Sequence, residues 1–278
     1  WSPVTDADKQ AKSSSIDPEA GVEALFWRVY VADEWRGDDL IRVTHNYVRL
    51  KVFNEKGKAD AATINIDIPR NAGIPFLYGR TIKADGTIVE LKRDAVFERD
   101  LTRAGGIKRR VKSFAMPAVE PGAIIEYRWQ EVRNHPNIWY IRMNYQTDYP
   151  VRRVTYYLKP LSRQDTGLQM GVWPFNCQPS RLQLEMDGSN TTYVENVPAF
   201  KEEPLMPGDA NIRWWSLAFY TKPGEREPKK YWEDTGKRFY KMLRDGLKVN
   251  SEITAAANEA TKNATTEEQK VLALIRYI

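Results

Sequence analysis

Apolar and polar positions alternate with a period of two through much of the first three quarters of the chain. Val48, Leu50 and Val52 flank Arg49 and Lys51, and Ile64, Ile66 and Ile68 repeat the arrangement around Asn65 and Asp67 before Pro69 ends the run. Successive side chains of an extended chain point to opposite faces, so each run predicts a strand with one buried face. Ile125, Tyr127 and Trp129, interleaved with Glu126, Arg128 and Gln130, predict another, and the aromatic, β-branched stretch 24–35 one more. Further strands are expected over 139–145, 153–158, 181–186 and 191–195.

Turn residues punctuate these runs. Asp85 and Gly86 tolerate the positive φ angles of a tight hairpin and join strands predicted over 76–83 and 87–91. Residues 54–58, Glu120-Pro121-Gly122 and 187–190 read as turns in the same way. Short strands with polar turns and no helical periodicity between them imply antiparallel sheets rather than βαβ units. One sheet of this length would leave an apolar face in water, so the expectation is mainly β: an antiparallel two-sheet β-sandwich followed by a short C-terminal helical segment.

The pattern changes after Gly224. Pro228 suits a first helical turn, Trp232, Thr235, Phe239, Met242 and Leu243 share a helical face, and Gly246 can close the helix. Ser251 is placed to cap a second helix through Ala257. Thr265 and Glu268 have the spacing of a capping box, and Val271, Leu272, Ile275 and Ile278 form an apolar stripe that reaches the last residue, as if more sequence followed. The expected divisions are a flexible polar segment over 1–21, the β-sandwich over 22–224 and the helical segment over 225–278.

Composition supports a packed strand-and-turn protein, with 42% hydrophobic and 12% aromatic residues in 278. Lys and Arg number 42 against 37 Asp and Glu, so the net charge of +5 is spread among mixed signs and nucleic acid is not an expected partner. The densest basic stretch, Arg103, Lys108, Arg109, Arg110 and Lys112 beside Gly105 and Gly106, reads as a solvated loop leading into a strand. No apolar run approaches the ~20 residues that span a bilayer, so the chain is not expected to be membrane-spanning. It opens on Trp1 followed by polar residues, which fits a chain whose leader has been removed.

Candidate chemistry is sparse. Cys177 is the one cysteine, so no disulfide or cysteine-based metal cluster can form, and it lies between Pro174 and Pro179 without a helix N-terminus to acidify it. His45 and His135 both precede it, whereas transglutaminase-like and papain-like enzymes run in the order Cys, His, Asp or Asn. Two scattered histidines do not make a zinc site, turn chemistry explains Asp38, Asp39, Asp187 and Asn190, and no phosphate-binding fingerprint appears. Expected metals and cofactors are therefore none. Glu126 with Glu131, and Glu202 with Glu203, are the nearest to paired carboxylates, and solvated faces explain them better. The binding candidates are Trp214 and Trp215: neighbours on a strand face opposite ways, so one belongs to the core and the other can stack on a sugar or peptide.

Several stretches read together carry a resemblance. Ala84-Asp85-Gly86-Thr87-Ile88-Val89-Glu90-Leu91, then residues 114–127 with Met116-Pro117 and Glu120-Pro121-Gly122, then Asn196-Val197-Pro198-Ala199-Phe200 resemble, in order and spacing, the β-domain of unknown function found ahead of transglutaminase-like domains in exported bacterial proteins. Residues 266–278 look like the first helix of the transglutaminase-like core. The resemblance covers about 22–278. It implies a periplasmic or secreted location and a parent that is a cysteine peptidase or transglutaminase, with catalytic residues beyond the lead-in helix and none in this chain. The implied role is an accessory, non-catalytic module whose partner is its own downstream domain. The alternative is a free-standing sandwich that binds carbohydrate or protein.

Overall fold

The computed structural model describes residues 1–69, 71–102, 108–134, 140–161, 167–221, 228–244 and 246–277. Arg103, Gly105, Gly106, His135 and Trp139 lie outside the described residues. The chain divides into two compact units, Trp1–Pro223 and Gly224–Ile278.

The first unit is mainly β and holds three sheets rather than two. Eight strands form the main sheet: β1 (Val22–Arg36), β2 (Asp39–Val52), β4 (Ala72–Ile82), β5 (Ile88–Glu90), β8 (Ile124–Asn134), β10 (Val151–Lys159), β12 (Gln183–Leu184) and β13 (Asn190–Val197). Their spatial order is β12-β13-β10-β1-β2-β8-β4-β5. Two separate three-stranded sheets accompany it. One has the order β3-β7-β6, from β3 (Thr63–Asp67), β6 (Val96–Thr102) and β7 (Lys108–Ala115); the other, β11-β14-β9, is built from β9 (Tyr140–Asn144), β11 (Gln169–Phe175) and β14 (Trp215–Thr221). Splitting the second layer follows from strand length: β1 and β2 are 15 and 14 residues long, and the short strands opposite them cannot cover such ribbons as one sheet. Pairing is antiparallel throughout except between β1 and β10, which run parallel.

The alternating runs behave as their period requires. Leu50 and Val52 on β2, Ile64 and Ile66 on β3, and Ile125 and Tyr127 on β8 enter one core with Val29, Val154, Tyr156 and Ala218. The Asp85-Gly86 turn closes the β4–β5 hairpin, with Gly86 at φ +88° and the Asp85 carboxylate accepting from the Thr87 amide at 2.8 Å. Residues 54–58 are not a turn but the start of a helix, α2 (Glu55–Ala61), after a short α1 (Asp6–Gln10). Asn54 caps α2 by accepting from the Gly57 amide at 3.0 Å. Gly57 then lies so close to Gly21 that a Cβ on it would stand 1.7 Å from the Gly21 carbonyl oxygen. The basic residues Arg110 and Lys112 sit in β7 rather than in a loop, and Arg110 donates to the Ala72 carbonyl at 2.8 Å.

The polar side of β2 is also not wet. Arg49 and Lys51 are 2% and 1% exposed, on the outer face of the main sheet, because the N-terminal segment lies across them. Lys51 Nζ donates to the carbonyls of Lys9 and Gly122, at 2.8 and 2.6 Å, and Arg49 donates to those of Ser2 and Pro3. Glu23, fully buried on β1, receives Ser14 Oγ, the Ser15 amide and Arg152. Glu126 is equally buried: it accepts from Arg49 at 2.8 and 2.9 Å, from Arg80 at 2.7 Å and from the Tyr47 hydroxyl. Polar residues stand here because backbone carbonyls and ion pairs replace water.

The second unit is helical: α4 (Pro228–Leu243), α5 (Ser251–Thr261) and α6 (Glu267–Tyr277), with α3 (Asp209–Ile212) a single turn in the first unit. Asn250, not Ser251, caps α5 through the Ile253 amide at 2.8 Å. The capping box of α6 falls one residue later than its sequence spacing implied: Thr266 Oγ1 accepts from the Gln269 amide, and Gln269 Oε1 from those of Thr265 and Thr266. Trp232, Met242 and Ile275 on these helices are exposed.

Candidate functional site

The inner face of the main sheet and the two small sheets enclose a cleft of about 630 Å3, within the size range of ligand sites. Its floor is a series of cross-strand rows from β1, β2 and β8. Trp27, Val48 and Tyr127 form the first, Val29, Asn46 and Trp129 the second, Val31, Thr44 and Glu131 the third, and Arg42 and Arg133 the fourth. The floor therefore runs from apolar to charged along the strands. The sides come from β3, at Ile64 to Asp67, and from β9, with Tyr140, Arg142 and Asn144.

Several polar groups on this floor are held by named partners. Trp27 Nε1 donates to Asn46 Oδ1 at 3.1 Å, and the Tyr127 and Trp129 rings stack with centroids 5.8 Å apart. The Tyr127 and Tyr149 hydroxyls meet at 3.2 Å. Burial pushes the Tyr127 hydroxyl well above its ordinary pKa and raises that of Tyr149, so both stay protonated near neutrality. Arg42 binds Asp33 through two bonds, at 2.6 and 3.0 Å, and Tyr220 adds its hydroxyl to the same carboxylate at 3.2 Å. Arg133 reaches Glu131 at 2.9 Å, while its Nε, buried from water, has no hydrogen-bond partner among the described residues. Such a surface can orient an extended ligand by its rings, its amides and the Arg133 guanidinium.

The sequence candidates fall elsewhere. Trp215 is half-buried in a stack, with the Phe175 ring 3.9 Å away and 6° from parallel on one side and the Arg142 guanidinium 4.6 Å from its centroid. Its Nε1 donates to the Ala210 carbonyl at 2.9 Å. Trp214 packs against the core, half-buried too, so the pair does not divide cleanly into one core and one surface ring. The ring left open is Trp173 on β11, opposite Leu217 and 63% exposed, with Tyr140 on the same sheet also exposed.

Among the described residues, Cys177 and His45 do not meet as a nucleophile and base. Cys177 is partly buried and its Sγ faces the Trp215 carbonyl at 3.4 Å. Burial raises its thiol pKa, against smaller opposing effects from hydrogen bonds to Ser216 and nearby backbone. His45 lies on the outer face of the main sheet beside Gln130, its pKa lowered by burial against the pull of Glu34. Glu126 and Glu131 occupy opposite faces of β8, so they cannot share a substrate, and Glu126 is buried in ion pairs rather than solvated. Glu202 and Glu203 are exposed. Asp187 accepts from the Ser189 amide and hydroxyl, as a turn residue does. Among the described residues no three of His, Cys, Asp and Glu cluster as metal ligands, and no helix is long and apolar enough to cross a membrane.

Sequence reasoning missed the cleft because its rows form only when β1, β2 and β8 align. A signal existed in Asn46 and Thr44, which continue the apolar side of β2 with polar residues.

This is the fold of a known family. Residues 40–201 match DUF3857, described as a domain of unknown function with a solved structure, and the chain belongs to it. A solved structure from Parabacteroides distasonis, described as that of a "putative protease", is 17% identical with a TM-score of 0.63, over 92% of this chain and 50% of that one. The chain thus spans about half the length of that protein. Leukotriene A4 hydrolase from Saccharomyces cerevisiae is 9% identical over 78% of this chain and 33% of its own, at a TM-score of 0.39. No curated protein matches the chain.

Proposed function

We propose that the chain is the non-catalytic interaction module of a bacterial protein whose transglutaminase-like domain, a cysteine peptidase or a transglutaminase, follows it. The observation that carries the non-catalytic part is the placement of Cys177 and His45. The thiol faces a backbone carbonyl with its pKa raised, and the imidazole sits beside Gln130 on the outer face of another sheet. Acyl transfer needs a nucleophile and a base within hydrogen-bond reach.

The transglutaminase-like parent is supported by the family match, by the half-length overlap with a protein described as a protease, and by the ordered motifs at 84–91, 114–127 and 196–204. A periplasmic or secreted location rests on that resemblance. In this reading the cleft receives a peptide: its rings accept apolar side chains and its rim of Arg133, Asn144 and Asp67 bonds the backbone.

The test is an assay of this chain alone on unfolded casein and on a glutamine-peptide with an amine acceptor. No cleavage and no amine incorporation are expected. Turnover that disappears in Cys177→Ala would sink the non-catalytic reading, and a native reading frame without a Cys, His, Asp series after Ile278 would sink the proposed parent.

A further inference from the structure

The outer face of the main sheet carries a second concavity, also about 630 Å3, which the N-terminal segment leaves open. Its floor is one cross-strand row. Tyr157 on β10, Tyr30 on β1, His45 on β2, Gln130 on β8 and Phe76 on β4 stand opposite one another in turn. At about 4.8 Å between neighbouring strands the row runs roughly 19 Å. The adjacent row on the same face is Arg28, Tyr47, Arg128 and Tyr78. Phe76 and Tyr78 are 53% and 42% exposed, where a core-forming face would bury them.

The two arginines set this face apart. Arg42, Arg49, Arg80 and Arg152 each meet a carboxylate, but among the described residues Arg28 and Arg128 meet none within 4.0 Å. Rings hold them instead. Arg28 lies 4.3 Å from the Phe26 centroid and donates to Ser2 Oγ at 2.9 Å, while Arg128 lies 4.5 Å from the Trp1 centroid and 5.4 Å from that of Tyr78. Both guanidiniums are thus positioned with their charge unneutralised. Asp187 also lines the concavity, with its carboxylate engaged by Ser189.

We propose that this trough binds an acidic oligosaccharide, whose sugar rings lie on Tyr30, Tyr157 and Phe76 and whose carboxylates meet Arg28 and Arg128. Aromatic side chains present flat apolar faces to the CH groups of a sugar, and Gln130, His45 and the tyrosine hydroxyls can exchange hydrogen bonds with its hydroxyls. An extended peptide fits less well, because its backbone needs donors and acceptors along its length, and this floor is mostly aromatic rings. A single-stranded nucleic acid carries a charge on every nucleotide and calls for a continuous basic groove, which two arginines beside an aspartate do not supply. The inference does not depend on the non-catalytic reading: either can fail while the other stands.

Calorimetric titration of the chain at low salt with a hexamer of galacturonic acid tests it, with the methyl-esterified hexamer as the uncharged counterpart. Saturable binding of the acid form is expected, weakened about tenfold or more by Arg28→Gln with Arg128→Gln, by methyl esterification and by Tyr30→Ala. Trp173→Ala, on another sheet, should bind as the parent does. Thermal melts that match the parent establish that each variant is folded. The proposal is overturned by absence of binding to the acid hexamer, by equal binding of its ester, or by folded arginine variants that bind unchanged. Tighter binding of an acidic peptide or a single-stranded oligonucleotide at the same residues would overturn it in favour of that class.

Discussion

Replacing Glu126 by Gln keeps the shape of the buried cluster and removes its negative charge. Glu126 is fully buried and is shared by Arg49, Arg80 and the Tyr47 hydroxyl. The two guanidiniums differ in their escape routes. The Arg80 side chain is 14% exposed and can turn toward water, whereas that of Arg49, at 3%, is roofed by the carbonyls of Ser2 and Pro3. Breaking a buried pair by removing one partner costs about 3–5 kcal/mol, and the retreat of Arg80 places this case near the lower end, about 3 kcal/mol. With a urea slope of about 2–3 kcal/mol/M the midpoint moves down by about 1–1.5 M. Urea unfolding at neutral pH, followed by tryptophan fluorescence and by far-ultraviolet circular dichroism, reads that shift. A double variant, Glu126→Leu with Arg49→Met, should recover part of the loss, since an apolar pair replaces an ion pair at little net cost. A shift under about 0.3 M for Glu126→Gln, with an unchanged slope, would mean that water reaches the cluster and that the N-terminal segment does not seal it.

Three further outcomes follow from the same geometry. Gly57→Ala, which in an ordinary helix would stabilise by about 0.5–1 kcal/mol, should instead lower the melting temperature, because the new Cβ would stand 1.7 Å from the Gly21 carbonyl oxygen; a stabilised variant would show that α2 is free to move off β1. Alkylation of Cys177 by iodoacetamide at pH 8 should be slower than that of free cysteine and should still be rising above pH 9, since burial favours the neutral thiol; a plateau below pH 8 would contradict this. Phe175→Ala, which unstacks Trp215, should cost about 1 kcal/mol or more, while Trp173→Ala should stay within about 0.5 kcal/mol; the reverse order in a thermal melt would mean that Trp173, not Phe175, packs in the folded chain.

Where the period of two was clean, the sequence located the strands: β2, β3 and β8 each contain their predicted alternation, and Asp85-Gly86 marked its hairpin. Composition located β1, β9, β10 and β13 without it, whereas β6, β7 and β11 were not foreseen. β11 carries Met170 and Val172 on one side and Trp173 and Phe175 on the other, around Gly171 and Pro174, because it is an edge strand with neither face deeply buried. β7 reads as a basic loop because its buried residues are few and divided between its two faces, Phe114 opposite Ile64 in the core and Val111 and Ser113 on the other side. Partition into three sheets was unreadable for a different reason: the parallel pairing of β1 with β10 joins residues far apart in the chain, and nothing local encodes it. The same limit applies to the sites. Trp215 was visible as a ring of interest, though Phe175 and Arg142 cover it, whereas the inner cleft and the outer trough are properties of cross-strand rows. Arg49 and Lys51 show the opposite error, polar residues that looked solvated until the N-terminal segment was seen to supply their carbonyl partners.

The proposed function places catalysis outside this chain. It is tested most directly by measuring peptide cleavage and amine incorporation side by side for this chain and for the product of its full native reading frame. Activity confined to the full product, kept in Cys177→Ala and lost when a cysteine downstream of Ile278 is replaced, is the predicted result. Activity in this chain alone, or activity of the full product that vanishes with Cys177, would contradict it.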